Sequence, residues 1–271
     1  MQRGEDALKS RSRLSWMGKN AQVHGVPLHF ETMTPELSSC LAWACETAYG
    51  FYPEKGYHSI RLGTPDLELA ELFVSDIRKV FNRLPSITTH FSTQRQKLIF
   101  DVNFCTRNAI VALRHFTDWG CDTWGLKGEY FANNTPDTDR AYLRRLFDCE
   151  GSANVYTWFD KKSKKYRSRP LIRLTNKNIV SLRKVGSMLG NIGIEYFLKP
   201  EYCIRNSIRF DWWNLTVRRC SMEQFIRLVN FDLKRKRANT VKIMEWLSTH
   251  SQYNPALRVI KTETNRGLVR Q

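Results

Sequence analysis

Residues Arg140–Ser152 read RAYLRRLFDCEGS, and the reading of this stretch decides the fold. It is an apolar helical pattern that runs without a breaker into two acids, Asp148 and Glu150, and stops at Gly151. Glycine accepts the positive φ that closes many helices, so the pattern delivers a carboxylate to the exit of a buried helix. An ordinary core helix with a glycine cap would produce the same letters, so the residues beyond Gly151 have to supply the meaning. A strand pattern covers Ala153–Asp160, a lysine-rich turn leads to a second strand at Tyr166–Leu174, and a helix-like run, Asn178–Leu189, closes on Gly190 and Gly193.

Working outward, the upstream half repeats this order. Thr34-Pro35-Glu36 starts a helix, with Thr34 as N-cap and Pro35 at the first helical position. The run ELSSCLAWACETAYGFY reads as one helix from Glu36 onward, with a strand at Tyr57–Leu62 and an amphipathic helix at Leu67–Phe81 after it. Ile60-Arg61-Leu62 and its helix match Ile172-Arg173-Leu174 and its helix at an offset of roughly 110 residues, longer than a solenoid repeat and typical of a duplicated domain. Further strands are expected at Ile87–Phe91, Lys97–Phe104, Ile194–Leu198 and Tyr202–Val217, the last broken near Arg205-Asn206. The expected organisation is a basic arm at 1–34, a first half at 35–120, a linker at 121–139, a second half at 140–250 and a tail at 251–271.

LRRLFDCEG, with IRLTNKNIVSLRKVGSMLGNIGI downstream of it, resembles one half of a LAGLIDADG homing endonuclease of the monomeric, two-motif type. The resemblance implies an α+β fold of two pseudo-symmetric αββαββα halves whose sheets form a DNA-binding saddle, with the motif helices side by side. It implies a site-specific endonuclease that hydrolyses phosphodiester bonds of double-stranded DNA with Mg²⁺ or Mn²⁺, one acid per half holding the metal. Carried onto this chain, Glu150 takes the second acid position, as catalytic group and metal ligand, and Lys234 in FDLKRKRAN takes the catalytic lysine position. Asp148, about 200° round the helix from Glu150, reads as a solvated or capping acid. In the first half, Tyr49 or Phe51 falls where the acid belongs and Trp119 falls opposite Lys234, so that site is expected to be degenerate and the enzyme impaired or nicking. At the motif's third position the same alignment sets Glu46 against Arg145, an expected ion pair across the helix seam. A non-cleaving binder on the same scaffold, an intron RNA maturase or a DNA-binding regulator, stays open as the alternative.

The chain's charge agrees with a polyanionic partner. Among 271 residues, Lys plus Arg outnumber Asp plus Glu by 43 to 26, leaving +17, and clustered cations gain by releasing counterions from a phosphate backbone. The expected DNA-binding residues are Lys161, Lys162, Lys164, Lys165, Arg167, Arg169 and Arg173 on one hairpin, extended by Arg205, Arg209 and Arg218. Lys165, Arg167, Arg169 and Arg173 share one strand face by the two-residue alternation, where arginines can read guanine edges while turn lysines meet phosphates. One of Trp212 and Trp213 is expected in the core. Seven scattered cysteines without a CxxC pair argue for reduced thiols and an intracellular protein, in the cytoplasm, nucleoid or an organelle matrix. No stretch reads as a membrane span. A monomer with double-stranded DNA, and intron RNA under the alternative, completes the expected set of partners.

Overall fold

A computed structural model describes residues 30, 32–52, 57–120, 123–205 and 207–250. The basic arm before residue 30 and the tail after 250 lie outside them. The chain divides into two compact units, with the dividing line between Tyr142 and Leu143.

In the first unit, α1 (Pro35–Ala42) starts as its sequence requires, with the Thr34 hydroxyl accepting from Leu37 N at 3.2 Å. A 3₁₀ turn, Trp43–Cys45, then brings the helix to an end. The helical reading of AYGFY fails: Ala48–Tyr52 is strand β1, paired with β2 (Tyr57–Thr64). The stop comes from Thr47, whose backbone N and hydroxyl both donate to Trp43 O, at 3.0 and 2.7 Å. After α2 (Leu67–Phe81) come β3 (Ser86–Ser92), β4 (Lys97–Phe104) and α3 (Arg107–Phe116). The antiparallel sheet runs β1-β2-β4-β3. Leu69, Phe73 and Ile77 of α2 are buried, as are Ile60, Leu62, Val102 and Phe104, so one face of the sheet is closed by the helices.

A short pair of strands follows, β5 (Thr117–Asp118) and β6 (Gly125–Leu126), and within the stretch expected as a linker the described residues form β6 and a one-turn helix, α4 (Gly128–Phe131). Tyr130, fully buried on α4, shares a hydrogen bond with Ser38 at 2.9 Å and donates to Asp139 at 3.1 Å. Helix α5 (Pro136–Glu150) begins in this unit. The Ser38 hydroxyl donates to Thr138 O at 2.7 Å, which fixes the first turn of α5 to α1.

The second unit takes the rest of α5 and repeats the order with β7 (Gly151–Asp160), β8 (Lys165–Asn176), α6 (Ile179–Asn191), β9 (Tyr196–Arg205) and β10 (Ile208–Val217). Its sheet runs β7-β8-β10-β9, the same topology as the first. Helices α7 (Met222–Leu228) and α8 (Lys234–Thr249) complete it. Ile172, Leu174, Leu215 and Val217 are buried with Leu182, Val185, Met188 and Leu189 of α6. Each half is thus an antiparallel four-stranded sheet with helices on one face. Among the described residues, no helix is long and apolar enough to cross a membrane.

Candidate active site and nucleic-acid interface

Strand register, not sequence spacing, aligns the two halves. Arg61 on β2 faces Ala48 on β1, and Arg173 on β8 faces Ser152 on β7. The next residues of β2 and β8, Leu62 and Leu174, face Val102 and Leu215, so Arg61 and Arg173 are equivalent. Counting back two residues from their partners gives Glu46 in the first half and Glu150 in the second. Both come directly after a cysteine, both are half-buried, and both stand at the exit of a motif helix. The Cys-Glu pairs at 45–46 and 149–150 were the signal that could have revealed this in the sequence.

Three expectations are corrected by this register. Tyr49 and Phe51 are strand residues beyond the helix: the Tyr49 hydroxyl lies 2.9 Å from His58 Nδ1 and accepts from Arg114 at 3.0 Å, and Phe51 packs on His58. The first half therefore does carry an acid at the helix exit, Glu46. Arg145 is consequently not the counterpart of Glu46. Its equivalent is Leu41, and its guanidinium meets Asp148 at 2.9 Å and Asp232 at 3.2 Å within its own unit.

Asp148 is no solvated acid. It is fully buried, and it accepts from the backbone N of Asp232 and Leu233 at 3.0 and 3.1 Å besides Arg145. Burial pushes its carboxyl up to about 6, against the pull of Arg145. Its oxygens are committed to joining α5 to the start of α8, which leaves Glu150 as the acid of the second half. Burial also raises Glu150 above the usual carboxylate range, opposed by the ammonium of Lys236.

Lys236 is the lysine that the sequence reading missed. Lys234 opens α8 with an exposed side chain, whereas Lys236, one half-turn on, is buried and donates to Phe147 O at 2.9 Å, Asp148 O at 2.5 Å and Cys149 O at 3.5 Å. These are the terminal carbonyls of the motif helix, where its dipole is negative, and a cation there is stabilised. In the first half the corresponding end of α1 is held by an indole: Trp119 Nε1 donates to the Thr47 hydroxyl at 2.8 Å.

Gly151 is also required for a different reason from the one its sequence suggests. It is not among the glycines with positive φ. A Cβ built on it would lie 2.6 Å from Phe147 Cδ1 and 2.6 Å from Phe147 O, so the chain turns from helix to strand too tightly for a side chain.

Among the described residues, no group of three or more His, Cys, Asp or Glu is placed to hold a metal ion. In each half the helix-exit glutamate offers carboxylate oxygens as the donor set, the helix-end carbonyls being taken by Lys236 and Thr47, and this fits a hard divalent cation that keeps most of its waters. Such a set does not fit zinc, which prefers nitrogen and sulfur ligands.

On the second sheet, alternation from the buried Ile172 and Leu174 puts Lys165, Arg167, Arg169 and Arg173 on the face away from the helices. Arg167 is tied to Asp160 at 2.7 Å. Lys161, Lys162 and Lys164 are exposed in the hairpin turn. Arg209 departs from the expected surface: it shares the parity of Leu215 and Val217, packs over Tyr202 and pairs with Asp211 at 2.8 Å on the helix side. Arg218 lies just past β10 with Glu195 at 3.7 Å, and the side chain of Arg205 lies outside the described residues. Trp212 and Trp213 point to opposite faces and are both half-buried, so neither is a full core residue.

A duplicated α+β protein, with an open sheet and an acidic helix exit in each half, is the class these features define. Residues 137–230 match the family model described as a LAGLIDADG-like domain. Among solved structures, a point mutant of I-SmaMI is similar with a TM-score of 0.53 and 11% identity, covering 87% of this chain and 99% of that one. The crystal structure of I-DmoI in complex with DNA and Ca is similar with a TM-score of 0.50 and 14% identity, covering 77% of this chain and 97% of that one. No curated protein matches the chain. Residues 137–230 thus match a LAGLIDADG-like domain, and the chain as a whole has the fold of the LAGLIDADG homing endonucleases it is similar to.

Proposed function

We propose that the protein is a site-specific endonuclease of double-stranded DNA that uses Mg²⁺ or Mn²⁺, with Glu46 and Glu150 as its two metal-holding acids. The observation that carries this reading is the glutamate at the exit of both motif helices, each preceded by cysteine. A divalent cation held there would supply a nucleophilic water and stabilise the leaving oxygen. The chain's own residues prepare the site. Asp148 and Arg145 lock the end of α5 to α8, and Lys236 caps the helix-end carbonyls and favours the ionised form of Glu150 against the effect of burial. Lys165, Arg169 and Arg173 supply cations for the DNA backbone and base edges.

Possession of an acid in each half removes the reason to expect nicking alone. The remaining asymmetry, Trp119 where the second half uses Lys236, favours unequal rates on the two strands. The test is Mg²⁺-dependent cleavage of a supercoiled plasmid carrying a site recovered by cleavage selection from a randomised duplex pool. Relaxed circles should appear first and convert to linear product. Glu150→Gln and Glu46→Gln should each suppress linear product, and full linearisation by Glu46→Gln would refute the role given to the first-half acid.

A further inference from the structure

The open faces of the two sheets differ at equivalent places. In the first half, Arg61 donates to Asp101 through Nε at 3.1 Å and Nη2 at 2.7 Å, and His90 Nδ1 lies 3.0 Å from the same carboxylate. The register makes Arg173, Asn214 and Glu201 their equivalents in the second half. Replacing Asp101 by Asn214 leaves Arg173 without the carboxylate that closes Arg61 down. A cavity of about 370 Å³ opens there, walled by Arg169, Arg173, Phe197, Lys199, Glu201 and Asn214.

Asn214 is the informative wall. It is 3% exposed, its Oδ1 accepts from the Thr175 hydroxyl at 2.6 Å, and its Nδ2 has no partner among the described residues. A buried amide N–H left unpaired is costly, so an acceptor entering the cavity would be bound with the full benefit of satisfying it. Beside it, Phe197 is 44% exposed, where the first half has Ser86. By the same alternation Tyr156, Trp158, Phe210 and Trp212 share this face with Arg167, Arg169 and Lys165. The first sheet's face offers Ser86, Thr88, His90 and Ser92 instead.

We propose that the second sheet's cavity binds one unpaired nucleotide of a single-stranded nucleic acid. The base stacks on Phe197, a ring or carbonyl acceptor on its edge takes the Asn214 N–H, and Arg169, Arg173 and Lys199 meet the phosphate. Aromatic faces gain from bases whose π surfaces are free, and within a duplex those surfaces are already stacked. Neighbouring unpaired bases would continue onto Trp158 and Tyr156. This ligand shares Arg169 and Arg173 with the duplex of the proposed cleavage reaction and would therefore compete with it, but its binding does not depend on cleavage.

The test compares binding of the full chain to labelled oligothymidylate, oligouridylate and a blunt duplex, at physiological salt, by fluorescence anisotropy. Phe197→Leu keeps apolar bulk while removing the ring, and Asn214→Leu removes the amide N–H at similar size without placing a charge beside Arg173. Each should weaken single-strand binding by about ten-fold or more while duplex binding changes less than about two-fold, with tryptophan quenching on the single strand in the wild type. The thymidylate and uridylate arms report whether a 2′-hydroxyl adds to binding. Wild-type binding to duplex and not to either single strand overturns the proposal and leaves the endonuclease reading intact. Equal loss on all three ligands in both variants, or no loss, also overturns it.

Discussion

At the exits of the two motif helices the chain solves one problem twice. In the second half the turn is made by Gly151, because Phe147 fills the space a Cβ would need, and the helix end is held by the Lys236 ammonium. In the first half Thr47 stands at the glycine's place, turns its hydroxyl back onto Trp43 O, and is itself held by the Trp119 indole. Charge carries out in one half what neutral hydrogen bonds carry out in the other. What both keep is the glutamate one residue earlier, so the acid, and not the device that ends the helix, is the feature the two halves share.

The largest expected effect tests that shared feature. Glu150→Gln and Glu46→Gln should each lower the rate of double-strand cleavage by about 100-fold or more, as loss of transition-state charge stabilisation does elsewhere, measured as linear product from supercoiled plasmid. A large loss for Glu150 alone would break the equivalence of the halves. Next comes the buried network of the second half: Asp148→Ala removes the partner of a buried arginine and should cost about 3–5 kcal/mol in denaturant unfolding. The equivalent of Asp148 is Ala44, which is buried and apolar, so Ala44→Asp should destabilise by burying an unpaired charge.

The turn itself gives a smaller, opposed pair. Gly151→Ala should cost about 1–3 kcal/mol through overpacking against Phe147, whereas Thr47→Gly should cost about 1 kcal/mol through lost hydrogen bonds. Thermal unfolding of the two variants checks the order.

The smallest effect is a pH dependence of opposite sign in the two halves. Asp148, raised by burial to about 6, binds its proton more tightly folded than unfolded. Its contribution therefore falls as pH rises from the ordinary carboxylate value towards 6, a slope that Asp148→Asn should remove. Asp101 is held below the usual range by its hydrogen bonds from Arg61, with burial opposing. Its contribution is present above the ordinary carboxylate value and is lost as pH falls through the depressed one, a loss that Asp101→Asn should remove. Denaturant unfolding from acid to neutral pH separates the two.

Much of this architecture was legible in the letters. The duplication showed in Ile60-Arg61-Leu62 and Ile172-Arg173-Leu174, and β4 and α2 lie where their patterns place them. The first-half acid was hidden because Ala48–Tyr52 contains no proline, and Gly50 imitates Gly151 in a sequence alignment. A helical reading therefore ran past Glu46 and assigned its place to Tyr49 or Phe51. Lys236 was hidden for a related reason: FDLKRKRAN sets Lys234, Arg235, Lys236 and Arg237 in an unbroken row, and only the packing of α8 against α5 selects the one that reaches the carbonyls.

By itself the sequence determined the α+β class, the twofold repeat, the polyanion preference and Glu150, because periodicity, turn residues and net charge are local or additive properties. Tertiary structure decided that Glu46 is the register equivalent of Glu150, that Lys236 and not Lys234 reaches the helix-end carbonyls, and that Asp148 is a buried strut. It also decided that Asn214 keeps an unpaired N–H beside Phe197. Those four facts depend on strand register and on which groups exclude water from one another, and neither is set until distant segments have packed.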